Sequence, residues 1–298
     1  MYMERTFGNV TWIDLVKPTD KNLDDLRRRF KLHEIIAKEL KEPSARSRVE
    51  LYGDYLYLIY YFPVYDVKEQ TSRRSEIDFI ITKDTVVTVH YEEIEPIKEV
   101  KEKFLEFDSS FELTYRVIAS LLNYQERQLR HIQEKVEQVG AMLFKNKERL
   151  VLKTVSRVKR DISEYRIISR HQGPILESLL ANGLRFFGEK EANKPYVDDL
   201  IGDHMKILNQ IEDYRDAVSD YEDTNNQLMN LRINEAMKTF TILSFLTFPF
   251  VLLVSVVDMN VLDNPFRNFH GNVFWLVVVG IVIGMGLLYY YFRNKKWL

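Results

Sequence analysis

Apolar residues are concentrated in two uninterrupted runs toward the end of the chain. Residues 240–257 and 273–292 form runs of 18 and 20 residues, and neither contains a charged side chain. A helix needs about 20 apolar residues to cross the roughly 30 Å hydrocarbon core of a bilayer. A helix of a soluble protein usually shows a polar stripe, which the second run lacks. The pattern therefore predicts two transmembrane helices, 240–257 and 273–292.

The charges that flank these runs predict their orientation. The connecting loop, 258–272, contains Arg267 as its single cation. More cations lie on the other side of both runs: Arg232, Lys238, Arg293, Lys295 and Lys296. Because positively charged flanks stay in the cytoplasm, we expect a multi-pass protein of the cell membrane with both termini cytoplasmic. Residues 293–298 are then a basic cytoplasmic tail, and 258–272 is an extracytoplasmic loop.

Residues 1–95 have the pattern of a small α/β cytoplasmic domain. Two segments rich in β-branched and aromatic residues surround Gly53-Asp54, and two more surround Lys83-Asp84, as in β-hairpins. The four predicted strands are 49–52, 55–62, 76–82 and 85–91. Helical patterns cover 21–30, with Thr19 or Asp20 as the N-cap, and 33–40. We expect a mostly antiparallel sheet with short helices.

From residue 96 onward the apolar period is helical. Long amphipathic patterns cover 115–145 and 147–180, with an interruption at Gly173-Pro174, and Asn182-Gly183 predicts a loop. Residues 96–195 therefore form a cytoplasmic helical region. Residues 196–239 lack strong helix breakers and lead directly into the first apolar run, which predicts a stalk helix that continues into the membrane.

The stalk has a seam with coiled-coil spacing. Its members alternate at intervals of four and three residues: Ile207, Ile211, Tyr214, Val218, Tyr221, Asn225 and Leu228. Such a seam joins helices of an oligomer around an axis, or it packs within the chain against the two preceding long helices. Both interpretations remain open from sequence, and they can hold on different faces of the helix.

Composition excludes several classes of protein. The 298 residues include no cysteine, carry a formal charge of −2 and have a mean hydropathy of −0.26. These values argue against a disordered chain, a disulfide scaffold and a cysteine-ligated metal protein, and they give no support to a nucleic-acid partner. The chain lacks a phosphate-binding loop, a dinucleotide glycine motif and a Gly-x-Ser-x-Gly or His-Glu-x-x-His motif. We therefore do not expect an enzyme.

Several motifs near the end of the chain resemble the CorA family of divalent-cation channels. They are Asn-Glu-Ala-Met-Lys at 234–238, Pro249, Met259-Asn260 and the final Lys-Lys-Trp-Leu. Segments 48–50, 55–57 and 81–84 also resemble strands of that family. The departure is Asp258, which stands where the family has the glycine of Gly-Met-Asn. The resemblance implies an α+β cytoplasmic domain followed by long helices and two C-terminal transmembrane helices, arranged as a funnel with a stalk.

The resemblance also implies a function. The chain would be a homo-oligomer, a pentamer in the family, that lies in the lipid bilayer and moves Mg²⁺, with Co²⁺ or Ni²⁺ as further ions, down its electrochemical gradient. Asp258, Met259 and Asn260 would form the selectivity loop, in which a ring of Asn260 side chains accepts hydrogen bonds from the hydrated ion. Asn234, Phe240, Phe248 and Val251 would line the pore. No cofactor is expected beyond Mg²⁺ as transported and regulatory ion.

Acidic residues at cytoplasmic subunit interfaces bind regulatory Mg²⁺ in the family. The matching positions are Glu39 and, at the start of the stalk, Asp198, Asp199 and Asp203. The alternative is that the three aspartates only stabilise the helix N-terminus through its dipole. Two other functions also remain open: a Zn²⁺ or other transition-metal transporter of the same superfamily, and a non-conducting membrane-anchored cation sensor or scaffold.

Overall fold

The computed structural model describes residues 2–66, 68–69, 71–145, 148–188, 194–258 and 271–295. The chain forms two compact units, residues 1–222 and 223–298, and the boundary between them falls inside one long helix. The strands are β1 (Tyr2–Phe7), β2 (Val10–Val16), β3 (Arg48–Tyr52), β4 (Tyr55–Asp66), β5 (Thr71–Ile81) and β6 (Thr85–His90). The helices are α1 (Asp20–Phe30), α2 (Glu34–Glu39), α3 (Glu95–Lys103), α4 (Ser110–Met142), α5 (Glu148–Arg170), α6 (Gln172–Phe187), α7 (Lys194–Asp258) and α8 (Gly271–Asn294).

The six strands form one sheet in the order β1-β2-β6-β5-β4-β3. All neighbouring strands are antiparallel except β2 and β6, which are parallel. Both predicted hairpins are present, β3–β4 and β5–β6, so the expected antiparallel sheet is confirmed. The pair β1–β2, which the sequence analysis did not assign, completes the sheet on the other side of β6.

Both faces of the sheet are covered, so most side chains of its central strands are buried. On one face, Trp12, Leu58 and Phe79 join the core that includes buried residues of α4, α5, α6 and α7. On the other face, Ile13 and Ile59 pack with buried residues of α1 and α2. Residues 55–62 of β4 are buried without exception, because alternate side chains enter the two cores.

Local capping explains where the first helices begin. Thr19, rather than Asp20, is the N-cap of α1: its hydroxyl accepts from the Asn22 N–H, and the Asn22 side chain accepts from the Thr19 N–H. Helix α2 begins one residue later than predicted because His33 is its N-cap, with the imidazole accepting from the Ile35 N–H. Because these side chains accept hydrogen bonds from N–H groups of the first turn, they fix the residue at which each helix begins.

Within the first unit, α7 runs alongside α4 in the same direction. The Tyr115 hydroxyl donates to Asp199 at 2.8 Å, and Lys206 pairs with Glu126 at 2.7 Å. Farther along, the Tyr221 ring packs over Gly140, where an added Cβ would lie 3.0 Å from the Tyr221 hydroxyl. Small size at Gly140 therefore allows the two helices to approach closely.

The seam of the stalk packs within the chain at its first positions. Ile207, Ile211 and Val218 are buried in the same core as the long helices, and Tyr214 and Tyr221 pack against it. The intramolecular interpretation of these positions is therefore confirmed. Asn225, the polar member of the seam, is also buried.

The predicted loop at Asn182-Gly183 is wrong. Both residues lie inside α6. Gly183 is a packing contact and not a turn: the Phe111 ring lies against it, and an added Cβ would lie only 2.7 Å from Phe111 Cε2. The break between α5 and α6 falls at His171, two residues before Gly173-Pro174. Pro174 lies in the first turn of α6, where its missing N–H is not needed.

The second unit consists of the end of α7 and α8. Among the described residues, one helix, Lys194–Val256, is long and apolar enough to cross a membrane by length and composition, and its most apolar stretch is almost wholly exposed. The first predicted span, 240–257, lies within this helix. The second, 273–292, lies within α8, where the described apolar segment Val278–Asn294 is shorter than a span requires.

Candidate functional site

The four residues expected to line a pore are exposed on α7. The exposed fractions of the side chains are 66% for Phe240, 67% for Phe248 and 61% for Val251, and Asn234 is also exposed. Asp258 is the last residue of α7 and is exposed. Met259 and Asn260 lie outside the described residues.

Helix α8 packs on a different side of α7. Ile242 is 5% exposed, and the next residues on that side, Leu246 and Phe250, are half-buried. Phe250 lies against Gly284 of α8, where an added Cβ would be 3.2 Å from its ring. At about 100° per residue, these three positions lie roughly opposite Phe248 and Val251. The candidate pore residues therefore face away from the only other helix of the second unit that the structure describes.

Three of the four candidate pore residues, Asn234, Phe248 and Val251, belong to a longer stripe that sequence reasoning missed. We call this set the heptad stripe; its members alternate at intervals of three and four residues along α7, and all are exposed. They are Asp213, Asp216, Asp220, Asp223, Gln227, Asn230, Asn234, Met237, Thr241, Ser244, Phe248, Val251, Ser255 and Asp258. Phe240 lies next to the stripe. The stripe has the same alternating spacing as the apolar seam of the stalk, so that spacing is the signal in the sequence that marks it.

The chemistry of the heptad stripe changes along the helix. Four carboxylates come first, then amides from Gln227 to Asn234, and then small hydroxyl and apolar residues as far as Asp258. The Thr241 hydroxyl donates to the Met237 carbonyl at 2.8 Å, and the Ser244 hydroxyl donates to the Phe240 carbonyl at 2.9 Å. Since these hydroxyl hydrogens are used by the backbone, the oxygen lone pairs remain available as acceptors. The polar part of the stripe can therefore accept hydrogen bonds from the water shell of a cation.

The expected regulatory residue Glu39 lies at the end of α2. Its carboxylate forms a close ion pair with Arg48, whose guanidinium also lies 3.0 Å from Glu50. Glu39 and Arg48 line a cavity with Lys38 and Lys41. Within one chain, Glu39 is therefore neutralised by basic neighbours.

The stalk aspartates occupy a different cavity. Asp199 and Asp203 line it together with Glu99 from α3, which pairs with Arg127 at 2.6 Å. Burial and the neighbouring charge of Asp199 raise the pKa of the Asp203 carboxyl. Asp198 is exposed. The structure thus brings Asp199 and Asp203 together, one turn apart, and places Glu39 in another cavity.

No group of three or more His, Cys, Asp or Glu side chains arranged to hold a metal ion occurs in the described part of the chain. The Asp199–Asp203 pair could supply two carboxylates to a cation. Mg²⁺ keeps several of its own waters and is commonly held by only one or two carboxylates. Further ligands for such an ion would have to come from outside the described residues of a single chain.

Comparison with known proteins gives matches across nearly the whole chain. The family model for the CorA-like Mg²⁺ transporter protein matches residues 7–295. The cobalt/magnesium transport protein CorA of Thermotoga maritima is 23% identical over 311 residues, which cover 99% of this chain and 85% of that protein.

Two solved structures share the fold. The CorA magnesium transporter from Methanocaldococcus jannaschii matches with a TM-score of 0.83 and 19% identity, over 97% of this chain and 92% of that one. The full-length CmaX protein matches with a TM-score of 0.67 and 16% identity, over 97% of this chain and 89% of that one. The expected α+β domain with a stalk helix and a membrane part is therefore confirmed.

The family match also bears on the class of function. Its members are transporters, which places the chain in a membrane and confirms that it is not an enzyme. Divalent cations are the cargo named for these relatives. The match over residues 7–295 shows that the chain belongs to the CorA-like Mg²⁺ transporter protein family.

Proposed function

We propose that the chain assembles as a homo-oligomeric channel that moves hydrated Mg²⁺ along an axis lined by the heptad stripe. The observation that carries this proposal is the stripe itself. Polar side chains in a membrane helix are costly unless they face water or a partner. Ser244 and Ser255 lie on the side of α7 that α8 does not cover, in register with the acidic and amide residues before the span.

Several copies are needed because one helix cannot enclose a water-filled path. A ring of α7 helices would bring the heptad stripes together around a common axis, while the other exposed apolar residues face lipid or neighbouring helices. The family resemblance suggests five copies. Both termini then lie in the cytoplasm, as the flanking charges predict.

A hydrated ion suits this lining. Mg²⁺ gives up its waters reluctantly, so a wide path of hydrogen-bond acceptors is a better match than a cage of bare carboxylates. Rings of Asp213, Asp216, Asp220 and Asp223 would raise the local cation concentration at one end, and Asp258 would do so at the other. A ring of Asn260 carbonyls beside Asp258 would select the ion through its water shell.

Phe248 and Val251 provide the constriction. They are the two apolar members of the stripe in the middle of the span, one turn apart. A narrow ring of apolar side chains can close a pore by excluding water. Phe240 would form a second apolar ring nearer the cytoplasm.

Regulation would use carboxylates from neighbouring subunits. Glu39, Asp198, Asp199 and Asp203 would approach one another across an interface and bind Mg²⁺ when its cytoplasmic concentration is high. Asp199→Asn should then raise Mg²⁺ current at high internal Mg²⁺. Asp25 is an exposed carboxylate on α1, so Asp25→Asn is the matched control and should leave the current unchanged. Equal currents in wild type and Asp199→Asn would remove this site.

The direct test is ion uptake into liposomes that contain the purified protein. An inside-negative potential should drive Mg²⁺ inward, and Asn260→Ala should lower the rate or change the ion preference. Asp258→Gly, which restores the glycine of the family motif, tests whether the carboxylate changes selectivity among Mg²⁺, Co²⁺ and Zn²⁺. Background flux in an intact oligomer would favour a sensor or scaffold, and a preference for Zn²⁺ would favour a transition-metal transporter.

A further inference from the structure

A groove lies between α7 and α8 at one end of the second unit. Its walls are apolar and aromatic: Ile242 and Phe245 come from α7, and Tyr291 and Phe292 come from α8. The volume is about 370 Å³. The Tyr291 and Phe292 rings meet edge to face, with 5.7 Å between their centroids. Phe245 and Tyr291 remain 62% and 56% exposed, so nothing in the described chain covers this end of the groove.

The two helices are antiparallel, so this end of the groove adjoins the basic flanks of both. Phe250 packs at Gly284, whereas Ile242, two turns earlier, lines the groove with Phe292, two turns later. Lys295 of α8 lines the groove directly. The groove thus combines an apolar wall with a cation at its mouth.

We propose that this groove binds an anionic phospholipid of the cytoplasmic leaflet. The acyl chain lies along Ile242, Phe245 and Phe292, and the phosphate contacts the Lys295 ammonium group. Basic pockets between membrane helices on the cytoplasmic side are a known means of holding acidic headgroups. Since the proposal places α7 and α8 in the bilayer, it rests on the proposed function for its setting but not on conduction itself.

Charge favours a lipid over a second copy of the chain as the occupant. A neighbouring copy would bring its own α7 or α8, whose residues at this level include Lys238, Arg293 and Lys295. Those cations would face Lys295 at the mouth of the groove, and like charges in a partly desolvated groove repel. A phosphate diester supplies the opposite charge, together with the chain that the aromatic wall needs.

Lipid binding by the purified oligomer tests the headgroup contact. Native mass spectrometry should show tighter binding of phosphatidylglycerol than of phosphatidylcholine. Lys295→Gln should weaken phosphatidylglycerol binding by about fivefold, the effect of one cation near an anionic surface. Arg293→Gln removes the same charge two residues earlier, on another side of α8, and should leave binding unchanged. Equal binding of the two lipids, or equal loss in the two variants, would overturn the proposal.

Fluorescence quenching tests the position of the acyl chain. Phe245→Trp adds a reporter in the groove wall, and its emission should be quenched by brominated phosphatidylglycerol more than by brominated phosphatidylcholine. Adding Lys295→Gln should remove that difference. Absence of quenching by either lipid would show that protein covers the groove, which would also overturn the proposal. Mg²⁺ uptake measured on the same preparations separates this outcome from a failure of the channel proposal.

Discussion

Trp12 and Trp275 show how differently the two units treat the same side chain. Trp12 is fully buried in the first unit, and its indole N–H donates to the Thr88 hydroxyl at 2.9 Å. Trp275 of α8 is 66% exposed. In the first unit, apolar surface is removed from water by the protein itself. In the second, most of it stays outside the protein, so the bilayer or other subunits must cover it.

The polar residues are arranged in the opposite way in the two units. In the first unit, buried polar groups such as Gln125, Gln172 and Ser169 satisfy one another through hydrogen bonds of 2.8–3.1 Å. In the second unit, Ser244, Ser255 and Asp258 stay exposed on one side of an apolar helix. A polar network inside a core fixes a structure, whereas a polar stripe outside one requires water or a partner.

The largest expected effect comes from truncating an aromatic side chain in the first unit. Trp12→Ala should lower the free energy of unfolding of the first unit by about 4 kcal/mol, because removing a large buried side chain leaves a cavity. Phe248→Ala should change that quantity little, since the ring is 67% exposed, but should increase Mg²⁺ leakage through the constriction. Denaturant unfolding and liposome flux measure the two effects. A large loss of stability in Phe248→Ala would contradict the comparison.

Asp161 provides the next test, since it is a buried charge of the first unit. Burial would raise the pKa of its carboxyl, but the nearby His131 imidazole and the Lys135 ammonium, the latter at 2.6 Å, hold the pKa below its ordinary value. Ser72 also donates its N–H to this carboxylate at 3.0 Å. Asp161→Ala removes the acceptor of the Ser72 N–H and the partner of the Lys135 ammonium. It should lower the free energy of unfolding by about 3 kcal/mol.

The pH dependence of this interaction has a definite sign. A carboxylate with a lowered folded-state pKa stabilises the protein above its unfolded pKa of about 4, and that contribution is lost as the pH falls further. Wild type should therefore lose stability in acid more steeply than Asp161→Asn. Thermal unfolding of both proteins between neutral and acidic pH measures the difference, and parallel curves would contradict the assignment.

A smaller effect is expected at the contact between α7 and α8. Gly284→Leu would push against the Phe250 ring and should destabilise the helix pair by about 2 kcal/mol in an SDS-unfolding measurement. Gly280→Leu is the matched control, one turn away on α8, since an added Cβ there meets no described atom within 4 Å. If both variants unfold alike, the packing of Phe250 on Gly284 is not what joins the helices.

The smallest effect belongs to surface ion pairs. Arg29 pairs with Glu4 at 2.7 Å and ties α1 to the edge strand β1, but the two side chains are 46% and 35% exposed. Arg29→Ala should lower the free energy of unfolding of the first unit by about 0.5 kcal/mol or less. Salt screens this pair, so the effect should be smaller still at high salt. A loss comparable to that of Trp12→Ala would show that surface charge matters more here than burial.

Local signals predicted the hairpins, but the strands β1 and β2 needed long-range information. Gly53-Asp54 and Lys83-Asp84 mark turns directly in the sequence. By contrast, β1 contains Glu4 and Arg5 and is mostly exposed, so it lacks an apolar pattern. Strand β2 is buried because it pairs with β6, with Trp12 opposite Val86. A parallel partner so distant in sequence leaves no local signature.

The candidate site was predicted in part for a similar reason. Residue types identified Asn234, Phe240, Phe248 and Val251 through family resemblance, and α7 does expose all four. The heptad stripe was missed because its chemistry changes from carboxylate to amide to hydroxyl, so no single residue class repeats along it. Contacts such as Tyr115 with Asp199, and the separation of Glu39 from that pair, depend on packing that one sequence does not display.

Cysteine accessibility tests most directly whether the heptad stripe lines the ion path, and the chain has no cysteine of its own to interfere. Single substitutions Ser244→Cys and Ser255→Cys place a thiol on the stripe. Leu243→Cys and Val254→Cys place one at nearly the same depth on a neighbouring side, at positions with comparable exposure of 56% and 54%. A cationic thiosulfonate reagent should block most Mg²⁺ influx in the two serine variants and leave the other two active. Equal block in all four, or block only at Leu243 and Val254, would contradict the account.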